Sequence, residues 1–266
     1  MKILTLNTHS IVEDNYNEKL NIFTNAIAKI RPDIIVMQEV NQSSQAMPVS
    51  VSNYLTPYKN TIPLKSDNHA YRIFKMLNEC NINYYFTWAS VKLAWGKYDE
   101  GLAVMSLKPL KSAEVIELSD DNSYLNWKTR KALLVNCDGM YICNTHFGWW
   151  NDADEPFLKQ WKNLNKKLLT KFRVYLAGDF NSPADERETG YDAVTGDGWY
   201  DTYTHALFKD DGYTVTKQID GWQNSEKKRI DYIFTNFEPC VKSSYTIFNG
   251  HNEKTVSDHS GIIITV

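Results

Sequence analysis

Val174-Tyr175-Leu176-Ala177-Gly178-Asp179-Phe180-Asn181 is an apolar run that ends in two polar side chains separated by one aromatic residue. A run of this length and composition predicts a short buried strand. Extended backbone sends alternate side chains to opposite faces, so Asp179 and Asn181 share one face while Phe180 turns inward as an anchor. The competing reading is an Asx-rich turn ahead of Pro183. The same arrangement recurs along the chain. Asn7 follows Leu4-Thr5-Leu6, Glu39 follows Ile34-Ile35-Val36-Met37-Gln38, and His146 follows Tyr141-Ile142-Cys143-Asn144-Thr145. Asp231 stands within Ile230-Asp231-Tyr232-Ile233-Phe234, and Asp258-His259 come just before the last apolar run. Polar groups at strand ends form a rigid rim, where binding and catalytic groups usually sit. Each has a plainer reading when taken alone: a strand cap for Asn7, a solvated carboxylate for Glu39, a carbonyl-bonded histidine for His146. An acid inside a strand needs a partner. For Asp231 the obvious one is His259, which leaves Asp258 to face a cation.

Working outward, strands are expected at Lys2 to Leu6, Asp33 to Met37, Asn83 to Ala89, Gly101 to Ser106, Ala132 to Asn136 and Met140 to Thr145. Others follow at Arg173 to Ala177, Ile230 to Phe234, Tyr245 to Phe248 and Gly261 to Val266. Helical spacing of apolar residues predicts helices over Glu18 to Ile30, His69 to Cys80 and Glu155 to Thr170. Asn41 to Asp67 lacks periodicity and carries three prolines, as a long surface loop that shapes substrate access would. Many strands with few interleaved helices predict two stacked sheets covered by helices, rather than a Rossmann fold or a TIM barrel. With no repeat, linker or low-complexity stretch, residues 1–266 read as one domain.

The 266 residues carry a net charge of −3, with no basic block longer than Lys227-Lys228-Arg229. That gives no support to nonspecific nucleic-acid binding, which needs a basic surface to displace counterions. None of the four cysteines forms a C-x-x-C pair, and Cys137 and Cys143 read as core positions. The opening residues turn polar too soon for a signal peptide, and no apolar run is long enough to span a bilayer. The expectation is a reduced, cytoplasmic protein without membrane attachment and without an obligatory protein partner.

In combination, Leu4-Thr5-Leu6-Asn7, Gln38-Glu39-Val40, Asn144-Thr145-His146, Gly178-Asp179-Phe180-Asn181, Arg229-Ile230-Asp231-Tyr232 and Ser257-Asp258-His259 resemble the endonuclease/exonuclease/phosphatase superfamily, in that superfamily's order. The resemblance implies a four-layer α/β sandwich, with two packed, mostly antiparallel β-sheets flanked by helices. It implies divalent-metal-dependent hydrolysis of a phosphate ester, with Mg²⁺ as first choice and Mn²⁺ as the alternative. Glu39 would bind the metal, with Asn7 and Asp258 close by. Asp179 and Asn181 would position the attacking water and a phosphoryl oxygen, and Asp231 would orient His259. His146 would donate a hydrogen bond to the phosphoryl group, steadied by an acid that Glu100 matches, although Asp99 is adjacent. Either Asp179 or His259 could be the general base.

This superfamily cleaves nucleic acids, lipids and sugar phosphates, so the fold leaves the substrate open. Stretches beside the shared motifs resemble a narrower group, the bacterial maltose 6'-phosphate phosphatases. They are Leu4-Thr5-Leu6-Asn7-Thr8-His9-Ser10, Gln38-Glu39-Val40-Asn41-Gln42, Asp67-Asn68-His69-Ala70-Tyr71, Gly148-Trp149-Trp150 and Ile219-Asp220-Gly221-Trp222. That resemblance implies a phosphomonoesterase of a phosphorylated sugar. Trp149, Trp150 and Trp222 would offer flat faces for a pyranose, although a single tryptophan is more often packing. His9, Asp67, Asn68 and Asp220 would hydrogen-bond hydroxyls. Arg72, Lys97, Arg130 and Lys131 are phosphate-contact candidates. The competing expectations are a nuclease acting on DNA or RNA, a sphingomyelinase-type lipid phosphodiesterase, and a catalytically decayed binding module.

Overall fold

The computed structural model describes residues 1–51, 53–57, 62–219 and 227–266. In chain order the elements are β1 (Lys2–Asn7), α1 (Tyr16–Ile30), β2 (Ile34–Gln38), β3 (Gln42–Ser43), α2 (His69–Glu79), β4 (Tyr85–Ala94), β5 (Tyr98–Ser106), β6 (Leu110–Glu117), β7 (Lys131–Cys137), β8 (Met140–His146), α3 (Phe157–Leu168), β9 (Val174–Asp179), α4 (Gly190–Gly196), β10 (Tyr200–Asp201), β11 (Ala206–Lys209), β12 (Asp231–Thr235), β13 (Val241–Ile247) and β14 (Gly261–Thr265). A 3₁₀ turn, Ser10–Val12, follows β1.

Alternation along the strands sorts side chains into layers. In β2, Ile34 and Val36 face one core while Ile35 and Met37 face another. In β7, Leu133 and Val135 meet the first of these cores, and Leu134 faces a third. The central core lies between two mixed sheets ordered β11-β13-β14-β1-β2-β5-β3, with β4 also on β5, and β10-β12-β9-β8-β7-β6. α1 and α2 cover the first sheet through Phe23, Ile27, Ile73 and Leu77. α3 covers the second through Trp161, Leu164 and Leu168. The result is the expected sandwich of two helix-flanked sheets. β1, β2, β8 and β9 are buried nearly throughout, so they read as continuous apolar runs.

Two parallel pairs position the rim. β1 and β2 align Asn7 with Gln38, and β8 and β9 align His146 with Asp179. Antiparallel β12 then places Asp231 opposite Asp179, so His146, Asp179 and Asp231 form one row across three strands. The sheets are joined by a buried amide pair. Gln38 Nε2 donates to Asn144 Oδ1 at 2.7 Å, and Asn144 Nδ2 donates to the carbonyls of Met37 and Ala103.

The structure departs from the sequence reading at several elements. The stretch after Asn41 is more packed than a surface loop would be. Its described parts pack Val49, Val51, Tyr54, Leu55, Ile62 and Leu64 against the first helical core. Scattered apolar positions without a period carried no strand or helix signal, yet burial fixes them. The β4–β5 hairpin is longer than expected, and β13 starts four residues earlier. β6, β10, β11 and α4 were not foreseen. β6 exposes much of one face, so its sequence Leu110-Lys111-Ser112-Ala113-Glu114-Val115-Ile116-Glu117 is too polar to stand out. Cys137 and Cys143 are buried in the core, as expected.

Gly178 has φ 147° and lies against β8 so closely that an added Cβ would meet the Thr145 carbonyl oxygen at 1.9 Å. Gly178→Ala should therefore cost at least about 2 kcal/mol of stability, through overpacking and backbone strain. Gly139→Ala, also at positive φ but in open space, should cost only about 1 kcal/mol. Urea unfolding reads both, and equal losses would exclude the β8 contact as the cause.

Candidate active site

The rim residues converge on a cleft of about 770 Å³ that Glu39, His146, Asp179, Asn181, Asp258 and His259 line from both sheets. Asp179 is at its centre. Its Oδ2 accepts from Asn7 Nδ2 at 3.1 Å and lies 3.5 Å from His146 Nε2 and 3.8 Å from His259 Nε2. Its Oδ1 accepts from the Asn181 backbone N–H at 2.8 Å. Asn7 Nδ2 also donates to Glu39 Oε1 at 2.8 Å, so one amide links the acids of the two sheets. Asp231 Oδ2 lies 2.9 Å from His259 Nδ1.

The charges follow from this crowding. Burial, and then the nearby Asp231 carboxylate, raise the Asp179 carboxyl to about 7, against the opposing pull of His259 and the Asn181 and Asn7 hydrogen bonds. Burial disfavours a charged His259, but Asp231 and Asp179 outweigh it and raise its pKa well above the usual histidine range. Burial lowers that of His146 well below that range, assisted by the charges of Arg130 and Lys92. At neutral pH His259 is a cationic donor, His146 is neutral, and Asp179 is poised to take a proton.

Several groups are placed by backbone that departs from strand geometry. Glu39 closes β2 with φ 50° and Asn181 follows β9 with φ 46°. Non-glycine residues accept such angles only when their surroundings over-determine them. Here the Thr8 hydroxyl bonds the Gln38 carbonyl at 2.8 Å, and the Ser10 hydroxyl bonds that of Glu39 at 2.7 Å. Asn181 commits its amide group to the Phe147 carbonyl at 2.9 Å and to His146 Nε2 at 3.2 Å. An accepting Nε2 puts the proton of the neutral ring on Nδ1. That buried Nδ1 has no hydrogen-bond partner among the described residues.

Glu100, not Asp99, faces the cleft. Asp99 is held by Lys65, Gln42 and Tyr124. The expected support of His146 by Glu100 is replaced by a different pairing. A register shift between Ser90 and Lys92 sets Lys92 opposite Glu100, with Nζ 3.3 Å from Oε1. Bulges of this kind re-aim side chains.

The substrate-binding expectations divide. His9, Trp149 and Arg130 line the cleft. His9 Nδ1 is bonded to Glu13 at 2.8 Å. Burial lowers its pKa, but Glu13, Glu39 and Asp258 outweigh that and raise it to about 9, so it presents a cation. Asp67 and Asn68 do not fit the role. Asp67 accepts from the Ser43 backbone, while fully buried Asn68 caps α2 through Tyr71 N and donates to Gln42. Trp150 is also corrected, since it packs on Phe157 in the third core. Arg72 bonds Asn17 and lies over Tyr16, and neither Lys97 nor Lys131 lines the cleft. Asp220 and Trp222 lie outside the described residues. Lys92, Trp95 and Trp127 were missed and all line the cleft. A charge inside the apolar run Val91-Lys92-Leu93-Ala94 was the available signal for Lys92. Trp95, in the β4–β5 turn, and Trp127, in a loop, had no such signal.

The model of the Endonuclease/Exonuclease/phosphatase family matches residues 4–259. The chain belongs to this family. Its members are hydrolases and generally depend on a divalent metal. No curated protein matches the chain. An endonuclease/exonuclease/phosphatase family protein from Leptotrichia buccalis is 31% identical, covers 100% of this chain and 99% of its own, and superposes with a TM-score of 0.87. A Bacteroides thetaiotaomicron mannosyl-6-phosphatase is 16% identical over 100% of this chain and 98% of its own, with a TM-score of 0.66. A Neisseria 3' phosphatase bound to a product DNA hairpin is 17% identical with the same coverage, with a TM-score of 0.65. At these identities the last two share the fold.

Glu39 and Asp258 bring carboxylate oxygens to the cleft, which suit a hard cation, while Asn7 directs its amide nitrogen at Glu39 and accepts from the His9 backbone through its oxygen. Burial, and then Glu100, raise the Glu39 carboxyl, against the opposing pull of His9 and the Asn7 hydrogen bond. Removing Asp231 should change the charge state of its neighbour. In metal-free protein, NMR titration should find His259 protonated well above the ordinary range, and Asp231→Asn should return it toward that range. An unchanged titration would mean that Asp231 does not hold the charge.

Proposed function

We propose that this chain is a cytoplasmic, Mg²⁺-dependent phosphomonoesterase acting on a phosphorylated sugar, with maltose 6'-phosphate or a similar disaccharide 6'-phosphate as first choice. The observation that carries the reading is the cleft itself, which joins a hydrolytic centre to three indole rings. Trp95 and Trp127 are 59% and 55% exposed, and Trp127 lies 6.1 Å from Trp149 between ring centroids. Exposed indoles beside a polar site supply flat apolar faces suited to the C–H surface of a pyranose. The Trp149 indole N–H has no hydrogen-bond partner among the described residues. Free cysteines fit a reducing compartment, and among the described residues no helix is long and apolar enough to cross a membrane.

Glu39, Asn7 and Asp258 would hold the metal, which would neutralise charge on the phosphoryl oxygens. Asp179 accepts the proton of the attacking water, because its raised pKa lets it take one near neutrality. The Asn181 side-chain oxygen orients that water. Cationic His259, aligned by Asp231, donates to the phosphoryl group, and the His146 ring adds a second donor as negative charge grows there.

EDTA should abolish turnover of maltose 6'-phosphate, and Mg²⁺ or Mn²⁺ should restore it. Asp179→Asn and His259→Ala should each lower kcat by at least about 10²-fold, Asp179→Asn with little loss of stability and His259→Ala with some, since it leaves buried Asp231 unpaired. The reading fails if the purified protein cuts oligonucleotides efficiently while leaving a panel of sugar phosphates intact.

A further inference from the structure

Arg130 is only 6% exposed, lines the cleft, and makes no side-chain hydrogen bond or ion pair among the described residues. Its Nε is fully buried without a partner. A guanidinium in that state is costly, because lost hydration is not replaced by an anion. Elsewhere the fold meets this requirement. Buried Arg229 is paired with Asp201 at 2.7 Å. The groups beside Arg130 do not help, since its charge acts on Lys92 and His146 to disfavour their charged forms. Lys92 has Glu100 at 3.3 Å, so that pair is close to neutral. Among the described residues lining the cleft, Lys92, His9 and His259 each have an acidic partner, whereas Arg130 has none.

We infer that Arg130 is the specificity determinant for a terminal phosphate, binding the second negative charge that a phosphomonoester has and a phosphodiester lacks. This rests on the phosphomonoesterase reading and states how the site selects that ester. The charge count supports it. Glu39 and Asp258 would together match the charge of a divalent cation held between them. A monoanionic diester could be met there by cationic His259. A dianionic monoester brings one further charge and a third terminal oxygen, and a planar guanidinium fork suits two such oxygens. The buried position of Arg130 strengthens that attraction relative to a surface contact. Lys92 stands beside it as a second donor, held in place by Glu100.

The test compares wild type with Arg130→Met and Arg130→Lys on p-nitrophenyl phosphate and bis-p-nitrophenyl phosphate, and follows melting of EDTA-treated protein with and without inorganic phosphate. Expected results are a monoester kcat/KM at least about 100-fold lower in Arg130→Met and a monoester-to-diester ratio at least about 10-fold lower. Arg130→Lys should fall between, because charge survives and the fork does not. Phosphate should raise the melting temperature of wild type but not of Arg130→Met. Without phosphate, Arg130→Met should melt no lower than wild type, since it removes an unpaired buried charge. A lower melting temperature, with both esters losing rate in parallel, would identify a structural role and overturn the inference. So would an unchanged ratio or an equal phosphate response in both proteins. Phosphate binding that depends on Arg130, in a protein without sugar-phosphate turnover, would uphold the anion site and reject only the sugar-phosphate substrate.

Discussion

The Asp179 carboxylate is the interaction on which the site depends. It is buried, yet among the described residues it is salt-bridged by no lysine or arginine, and it is not fully neutralised. Instead it accepts from Asn7 of one sheet and from Asn181 beyond the end of its own strand, with two imidazoles within 3.8 Å. Each of these neighbours comes from a different segment, so the carboxylate is in place only when both sheets are. Burial that would ordinarily force an acid to stay neutral is here balanced by donors. The balance leaves a proton acceptor near neutral pH, which a fully paired or fully solvated aspartate would not be.

That arrangement needs the two sheets in fixed register, and a purely apolar interface would specify it poorly. The central core of Ile, Val and Leu side chains supplies the burial. Apolar packing tolerates small slides more readily than hydrogen bonding does. The Gln38–Asn144 pair and the carbonyls of Met37 and Ala103 add directional contacts between the sheets, just below the row of His146, Asp179 and Asp231. Gly178 permits the closeness within the second sheet, because any side chain there would strike Thr145. The polar bolt and the missing Cβ therefore do one job, holding the strand ends where the chemistry is.

Legibility from the sequence followed the physics of each element. Strands buried on both faces, such as Ile34–Gln38 and Val174–Asp179, were plain as apolar runs, and their polar ends marked the rim. The edge strand Leu110–Glu117 was hidden because one exposed face makes it look like a loop. Asp67 and Asn68 resembled ligand-binding residues because Asx side chains serve turns and sites alike, and here Asn68 caps a helix. Trp150 and Trp149 are adjacent in sequence yet differ in role, since one packs on Phe157 and the other turns to the cleft. Trp95 and Trp127 could not be assigned without the turns that carry them. Lys92 was marked by a charge in an apolar run, but its partner Glu100 depended on a bulge that no local signal announced.

The cleft consequently mixes paired and unpaired charge. Glu39, Asp179 and Asp258 line it with His9 and His259 as cationic neighbours, and Lys92 is paired with Glu100, but among the described residues no acid pairs with Arg130. In a stability-optimised protein such a cation would be paired. Among the described residues, Arg130 Nε and His146 Nδ1 are left without partners, a cost that packing elsewhere must offset. An unpaired cation is also what a site needs to hold an anion, since a paired one would have to be freed first. The unpaired guanidinium is thus the preorganisation: its interactions are withheld from the fold and remain available to a phosphate.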